Sequence, residues 1–562
     1  MISKAAEKST ALLLAVGASG VALLVTSSLN YDPVNVSKLV LTVGLGISIW
    51  AIIFSVGLRQ LWKDNYALSI SSLCFLVFGF SSITLSTAPL AQNVYGVFGR
   101  NTGYLVYVAF VGIMLGASLF RDQKYFAWLI RSVIFVGLIN VIYCGIDIVG
   151  PDLIGWNNIY GNILGTFGNP NFISAFLGIF LVMGLGYFFG AGFNWKARVI
   201  AVMIAGLTFF EIVKSHAIQG IAATGTGLAI IGFFLVRSRS KISLFTWLYS
   251  TIVMVIGLFA VAGALQTGPL AQYIYKASVS LRGVYWAAGM KMGLDNPLTG
   301  VGFDTYGDFY RQVRSEQAMI TPGPRIITNA AHNVALDIFA SGGFPLLLSY
   351  LAMIVLASIS IFRVLLRSKQ YDGVFVALAA GWVCYQVQSI VSINQIGLAI
   401  WGWLLTGAVI AYEKSTRAEV DAPVAAAPQS KGRTVKASTK KSGSLVLAPA
   451  LGFIVGALVA FPPFAADAGW RSALKSGNAQ SVYDAAIKWP QDSYRFNSIA
   501  RSLADNNLQD QALLVARKSV EYNPNSFDAW RVLATLDTST EAEKVKATEM
   551  MRKLDPRNTK LE

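Results

Sequence analysis

Apolar runs of roughly 15–28 residues, each near the length at which a helix crosses about 30 Å of hydrocarbon, recur throughout this chain. They lie near positions 10–27, 38–57, 67–86, 104–120, 125–147, 171–190, 198–213, 217–236, 246–264, 334–361, 373–391, 396–412 and 444–462. With 54% hydrophobic and only 13% charged residues, the composition carries about half the charge of a soluble domain. The expectation is an all-α polytopic membrane protein with about thirteen transmembrane helices.

Orientation follows from where the short loops place Lys and Arg, because cytoplasmic loops retain positive charge. With the N-terminus inside, alternate loops hold Arg59 and Lys63, Arg121 and Lys124, Lys196 and Arg198, then Arg237, Arg239 and Lys241. Arg363, Arg367 and Lys369 follow, and then a basic stretch up to residue 441. The net charge of +16 therefore reads as a topology signal and as contact with anionic lipid, not as a nucleic-acid footprint. The first run continues past the length of a signal-peptide core and is read as a retained helix. Cys74, Cys144 and Cys384 all fall inside apolar runs, which gives neither a disulfide framework nor a metal-ligand spacing.

This pattern divides the chain into a membrane domain over 1–413 with a long extracytoplasmic loop at about 265–332, a flexible cytoplasmic linker over 414–443, a last transmembrane helix at 444–462, and an extracytoplasmic tail over 463–562. The linker is rich in Ala, Pro, Ser and Lys and cannot bury a core. In the tail, "WPQDSYRFNSIA" at 489–500 aligns with "NPNSFDAWRVLA" at 523–534, a spacing of about 34 residues that resembles a tetratricopeptide pair. Such α-helical repeats present a concave face to a protein partner or serve as a stabilising cap.

Cations collect on the outer face, where topology disfavours them: Arg100 after a Gly-rich stretch, Lys214 and His216 between two spans, Arg282, Arg311 and Arg314 in the long loop, and His332 at its end. Guanidinium forks match phosphate oxygens, so a basic pocket at membrane level suits a diphosphate headgroup. Each residue also has a plain structural reading. Arg100 can snorkel, Lys214 can pair with Glu211, His216 can start a helix, and Arg311 and Arg314 can share a solvated helix face. His332, one of only two histidines, sits at the mouth of a buried helix, where an imidazole can either cap the helix or take a proton from an incoming hydroxyl.

The stretches "YDPVNVSK", "FGRNTGYL", "GTFGNPNFISAFL" at 165–177, "RGVYWAAGMKMGLDNPLTGVGFDTY" at 282–306 and "HNVALDIFASGG" at 332–343, in that order, resemble the O-antigen ligase and O-antigen polymerase superfamily of bacterial membrane glycosyltransferases over roughly residues 30–412. The resemblance implies a plasma-membrane enzyme that transfers a glycan from an undecaprenyl-diphosphate carrier to an acceptor hydroxyl on the extracytoplasmic face, with inversion and without metal or other cofactor. It makes Arg282 the loop arginine that holds the donor diphosphate, His332 the base, and Arg100 the arginine before the fourth span. The chain departs from the family at 215–220, where "SHAIQG" stands in place of an "SRG"-like motif, so His216, helped by Lys214, takes that arginine's place.

Arg100, Lys214, His216, Arg311 and Arg314 are thus the candidate donor-diphosphate ligands, and Trp286, Tyr306 and Asn333 the candidate sugar or acceptor contacts. The chemistry agrees: a diphosphate is a good leaving group, so the reaction needs cations for its developing charge and a base for the acceptor. The acceptor decides between a ligase, a polysaccharide polymerase and a protein O-oligosaccharyltransferase. A polysaccharide exporter would need charges along the bundle interior, and a scaffold would need neither His332 nor Arg282.

Overall fold

The computed structural model describes residues 3–156, 158, 159, 161–274, 277–420 and 444–561. Most of the expected cytoplasmic linker, residues 421–443, lies outside the described residues. Among the described residues the secondary structure is helical, with no strand, and the chain is a polytopic all-α membrane protein.

Each of the thirteen apolar runs falls on a helix. Among the described residues, ten helices are long and apolar enough to cross a membrane. The other three runs depart for physical reasons. Tyr104–Ala117 and Gly373–Ser389 are shorter, and both are buried along most of their length among neighbouring helices, so the bilayer thickness does not dictate their extent. Trp195–Lys214 has the length but carries Lys196, Arg198, Glu211 and Lys214. At the centre, the Ile396–Arg417 span is buried throughout its most apolar window. Its Gly407 lies so close to the Tyr104–Ala117 helix that a Cβ there would stand 2.0 Å from the Met114 carbonyl oxygen, the small-residue contact that lets membrane helices approach.

The last apolar run does not end near 462. Its helix continues to Ser476 through Pro462 and Pro463 and fastens onto the loop between the first two helices. Asp467 accepts from the Tyr31 and Asp32 backbone N–H groups (2.7 and 3.1 Å), Arg471 donates to Asn30 O (3.0 Å), and Trp470 stacks on Tyr31 at 4.0 Å. Beyond it come two helical hairpins, Ser493–Asp505 with Gln509–Tyr522 and Phe527–Thr535 with Glu541–Leu554. They begin just after Pro490 and Pro524, as proline's inability to continue a preceding helix predicts. Asp492 and Ser526 cap the first helix of each, and Phe496, Ala500, Trp530 and Leu533 lie in their shared core.

Between the helices Ser243–Ala264 and Val334–Arg367, the long loop folds into helices Ala277–Asp295, Tyr306–Val313 and Glu316–Ile320. The Val334–Arg367 helix breaks at Gly342 (φ −140°, ψ 16°) and Gly343 (φ 64°, ψ −163°). The "NPLTGVG" turn of the loop plugs that break. Val301 and Gly302 N–H donate to the Ala340 and Ser341 carbonyls (2.8 and 3.0 Å), and Phe344 N–H donates to Pro297 O (2.8 Å). Helix ends leave carbonyls without partners, and here a loop turn supplies them. A Cβ at Gly343 would lie 2.3 Å from Pro297 O, so the paired glycines make a socket as well as a close approach. The socket seats residues 301–306 beneath the candidate site.

Candidate active site

Three elements bring the candidate residues together. The turn before Tyr104 carries Arg100, the Ala277–Asp295 helix carries Arg282 and Tyr285, and the segment leading into Val334 carries His332. The charges acting on the His332 imidazole are those of Arg282 and Arg100, and the His332 ring stands 5.8 Å from that of Tyr285. Arg282 and Tyr285 lie one turn apart on their helix, and so share a face. Beneath them Tyr285, Ala288, Met292, Tyr306, Tyr310 and Ala331 form a small apolar core.

Electrostatics set the state of each group. Burial, with the positive charges of Arg282 and Arg100, pushes the His332 imidazole down to about 4, so it is neutral near neutral pH. Burial also lowers the Arg282 guanidinium and raises the Tyr285 hydroxyl. Arg100 is buried; burial opposes its charge, yet Asp304 and Asp337 hold it above its ordinary value.

Arg100 is a bridge. Its Nε lies 3.2 Å from Asp304 Oδ1, and its Nη1 donates to the Asn329 carbonyl. Asp304 in turn accepts from Val97 and Thr102 N–H (3.0 and 3.2 Å). A buried carboxylate therefore ties the Arg100 turn to the long loop, and Arg100 ties both to the strand of residues leading to His332. Asn101, Asp304 and His332 all have positive φ (52°, 56° and 54°), uncommon for residues other than glycine. Such strain persists where surrounding bonds over-determine the backbone, typically at functional sites.

Several expected ligands have other occupations. Arg311 and Arg314 are paired with the tail: Arg314 donates to both carboxylate oxygens of Asp555 (Nε 3.1 Å, Nη2 2.5 Å). Arg311 joins the same carboxylate at 3.2 Å, with its guanidinium 4.1 Å from the Phe527 ring. They clasp the tail onto the loop, because a carboxylate more than 240 residues away in sequence meets their charge. Tyr306 is buried and donates its hydroxyl to the Tyr285 carbonyl (2.6 Å), which makes it a support for the site. Asn333 caps the Val334 helix by accepting from Leu336 N–H (3.1 Å). Lys214 and His216 are exposed on the turn between two helices, where the Lys214 ammonium lies 5.6 Å from the Phe210 ring. Trp286 is half-buried, and its indole N–H is buried without a partner.

Arg100 also borders a cavity of about 630 Å³ that reaches from the loop between the first two helices (Asp32, Asn35) to Trp156, Phe172 and Gln395. Trp156 Nε1, Gln395 Nε2 and Asn35 Oδ1 are buried there without hydrogen-bond partners. Aromatic faces beside unmet donors and acceptors suit a ligand rich in hydroxyl groups. Most of these cavity residues belong to stretches with recognisable motifs, "YDPVN" and "GTFGNPNF" among them. Reading cations alone missed Asp304 and Asp337. Their signal was an acid in the turn "GFDTY" and another one helical turn after "HN".

The comparisons with known proteins fall on this same region. The chain matches no curated protein. Residues 203–351 match the family described as O-antigen ligase, a stretch that spans Lys214, His216, Arg282, Tyr285, Asp304, His332 and Asp337. Residues 203–351 thus carry an O-antigen ligase family domain, which supports the placement of this membrane protein in the O-antigen ligase superfamily.

Proposed function

We propose that this protein transfers a glycan from an undecaprenyl-diphosphate-linked donor to an acceptor hydroxyl at the extracytoplasmic face of a bacterial plasma membrane. The family match supports membrane glycosyltransferase activity of the O-antigen ligase type in general. The observation that carries the finer reading is a neutral imidazole, His332, held in the field of two guanidiniums, Arg282 and Arg100.

In this reading Arg282 holds the donor diphosphate, and Arg100 adds positive potential from its buried bridge. The acceptor hydroxyl gives its proton to His332 as its oxygen attacks the sugar C1. The C1–O bond to phosphate breaks on the opposite side, and undecaprenyl diphosphate departs with the electron pair. Inversion follows from this single displacement, and the guanidiniums stabilise the charge on the leaving group. An imidazole depressed this far is a weak base in the free protein. A bound diphosphate offsets the cations that depress it, so the base strengthens when the donor is seated. The 630 Å³ cavity beside Arg100 takes sugar units of donor or acceptor. Lys214 and His216, exposed on their turn, meet the donor.

The test uses the full chain in lipid nanodiscs with a lipid-linked glycan extract and an envelope fraction as acceptor. Arg282→Ala should weaken donor binding, and His332→Ala should retain binding while the transfer rate falls at least about 10²-fold, the usual contribution of a general base. Wild-type rates from both variants would refute the assignment.

A further inference from the structure

We propose that Asp337 is the positioning residue of the candidate base: its carboxylate holds the Ala331 N–H and so fixes the backbone bend that presents the His332 ring beside Tyr285. The inference rests on the reading of His332 as the base and assigns that base its support.

An acid in the first turn of a helix ordinarily needs only to face the positive end of the helix dipole, usually in solvent. Asp337 is half-buried, however, with its Oδ2 fully enclosed, and the side chain reaches backward past the helix cap. Its Oδ1 accepts from the backbone N–H of Ala331, six positions earlier, at 2.7 Å. Its own N–H donates to Asn333 O at 2.8 Å, and Asn333 Oδ1 accepts from Leu336 N–H at 3.1 Å. The two residues flanking His332 are therefore both bonded to the first turn of the helix, one on each side.

His332 between them takes φ +54°, a left-handed conformation that non-glycine residues adopt only at a steric cost. Residues upstream hold the same bend. Arg100 donates to Asn329 O, Thr328 Oγ1 donates to Ala330 O at 2.8 Å, and Ala330 and Ala331 are fully buried. A Cβ at Gly289 would come within 3.2 Å of Ala331 Cβ, so the bend has no room to slide along the Ala277–Asp295 helix. Without the Asp337 acceptor, the Ala331 N–H is left buried and unpaired, and His332 gains by relaxing out of its strained φ. The second oxygen, Oδ2, is buried without a hydrogen-bond partner, and the nearby Arg100 cation balances its charge.

The chain's two histidines allow a direct readout. In a His216→Gln background, ¹⁵N-histidine labelling of the full chain in nanodiscs reports His332 alone. Asp337→Asn keeps an oxygen acceptor for Ala331 N–H and should leave the His332 ring signals in place, with transfer near the rate of the His216→Gln parent, against which every rate here is read. Asp337→Ala should move those signals as the ring leaves Tyr285, and lower transfer by about 10²-fold with donor binding retained, as expected for a displacement of about 1 Å. Unmoved signals in Asp337→Ala, or signals that move as far in Asp337→Asn as in Asp337→Ala, would overturn the inference. If the signals behave as expected while His332→Ala transfers glycan at the wild-type rate, the positioning stands and the base assignment falls.

Discussion

Cutting the clasp between tail and loop, by Asp555→Ala, tests whether Arg311 and Arg314 are structural cations or ligand cations. The side chains of Arg314 and Asp555 are fully buried and that of Arg311 is 5% exposed. Removing one partner of such a buried cluster costs about 3–5 kcal/mol, because the remaining charges stay desolvated and unpaired. Two features favour the lower figure. Arg314 keeps its bond to Pro324 O (2.9 Å), and Arg311 keeps the Phe527 ring. About 3 kcal/mol corresponds to a shift of roughly 150-fold in the equilibrium between docked and undocked tail. Hydrogen exchange of the full chain in nanodiscs should show faster exchange in the Tyr306–Val313 and Glu541–Leu554 helices, with the membrane core unchanged. Asp555→Asn, which retains one acceptor, should fall between. If the arginines instead held a diphosphate, freeing them would raise donor affinity without loosening either helix, and that result would refute the structural role.

Further outcomes follow from the geometry. Since burial and the Arg282 and Arg100 charges depress His332 to about 4, the acidic limb of kcat/KM, which reports the free protein, should fall near that pH, and the limb of kcat nearer about 6.5. Arg282→Gln removes one of the depressing charges and should move the free-protein limb upward; a downward move would contradict the electrostatic account. By linkage, the unfolded chain takes up this proton first, so stability at His332 is constant above about 6.5 and falls by at most about 3 kcal/mol as pH drops towards 4. Gly343→Ala must place a Cβ 2.3 Å from Pro297 O at φ +64°, in a backbone region that only glycine occupies at ease. It should lower thermal stability by at least about 1–3 kcal/mol, read as the melting temperature in nanodiscs, and an unchanged melting temperature would mean that the loop turn does not need its socket.

The positions of the membrane helices were legible because hydrophobic length is a local property: each apolar run lands on a helix whatever its neighbours do. The tail's periodic prolines likewise marked where its hairpins begin, since proline acts on the backbone at its own position. The histidine ahead of an apolar run and the arginine of "RGVYW" also stood out, because a charged or titratable group at the membrane boundary is rare enough to notice.

Pairing was not legible. The sequence alone gives no reason for Arg311 and Arg314 to meet Asp555, for Arg100 to span Asp304 and Asn329, or for Gly342 and Gly343 to open a socket for the 296–302 turn. A cation's free energy in a low-dielectric interior depends on which carboxylate reaches it, and that depends on how distant segments pack. The sequence by itself determined where apolar helices form and which titratable groups stand near their ends. The tertiary structure alone decided which of those cations stay beside His332 and which are neutralised in holding the tail.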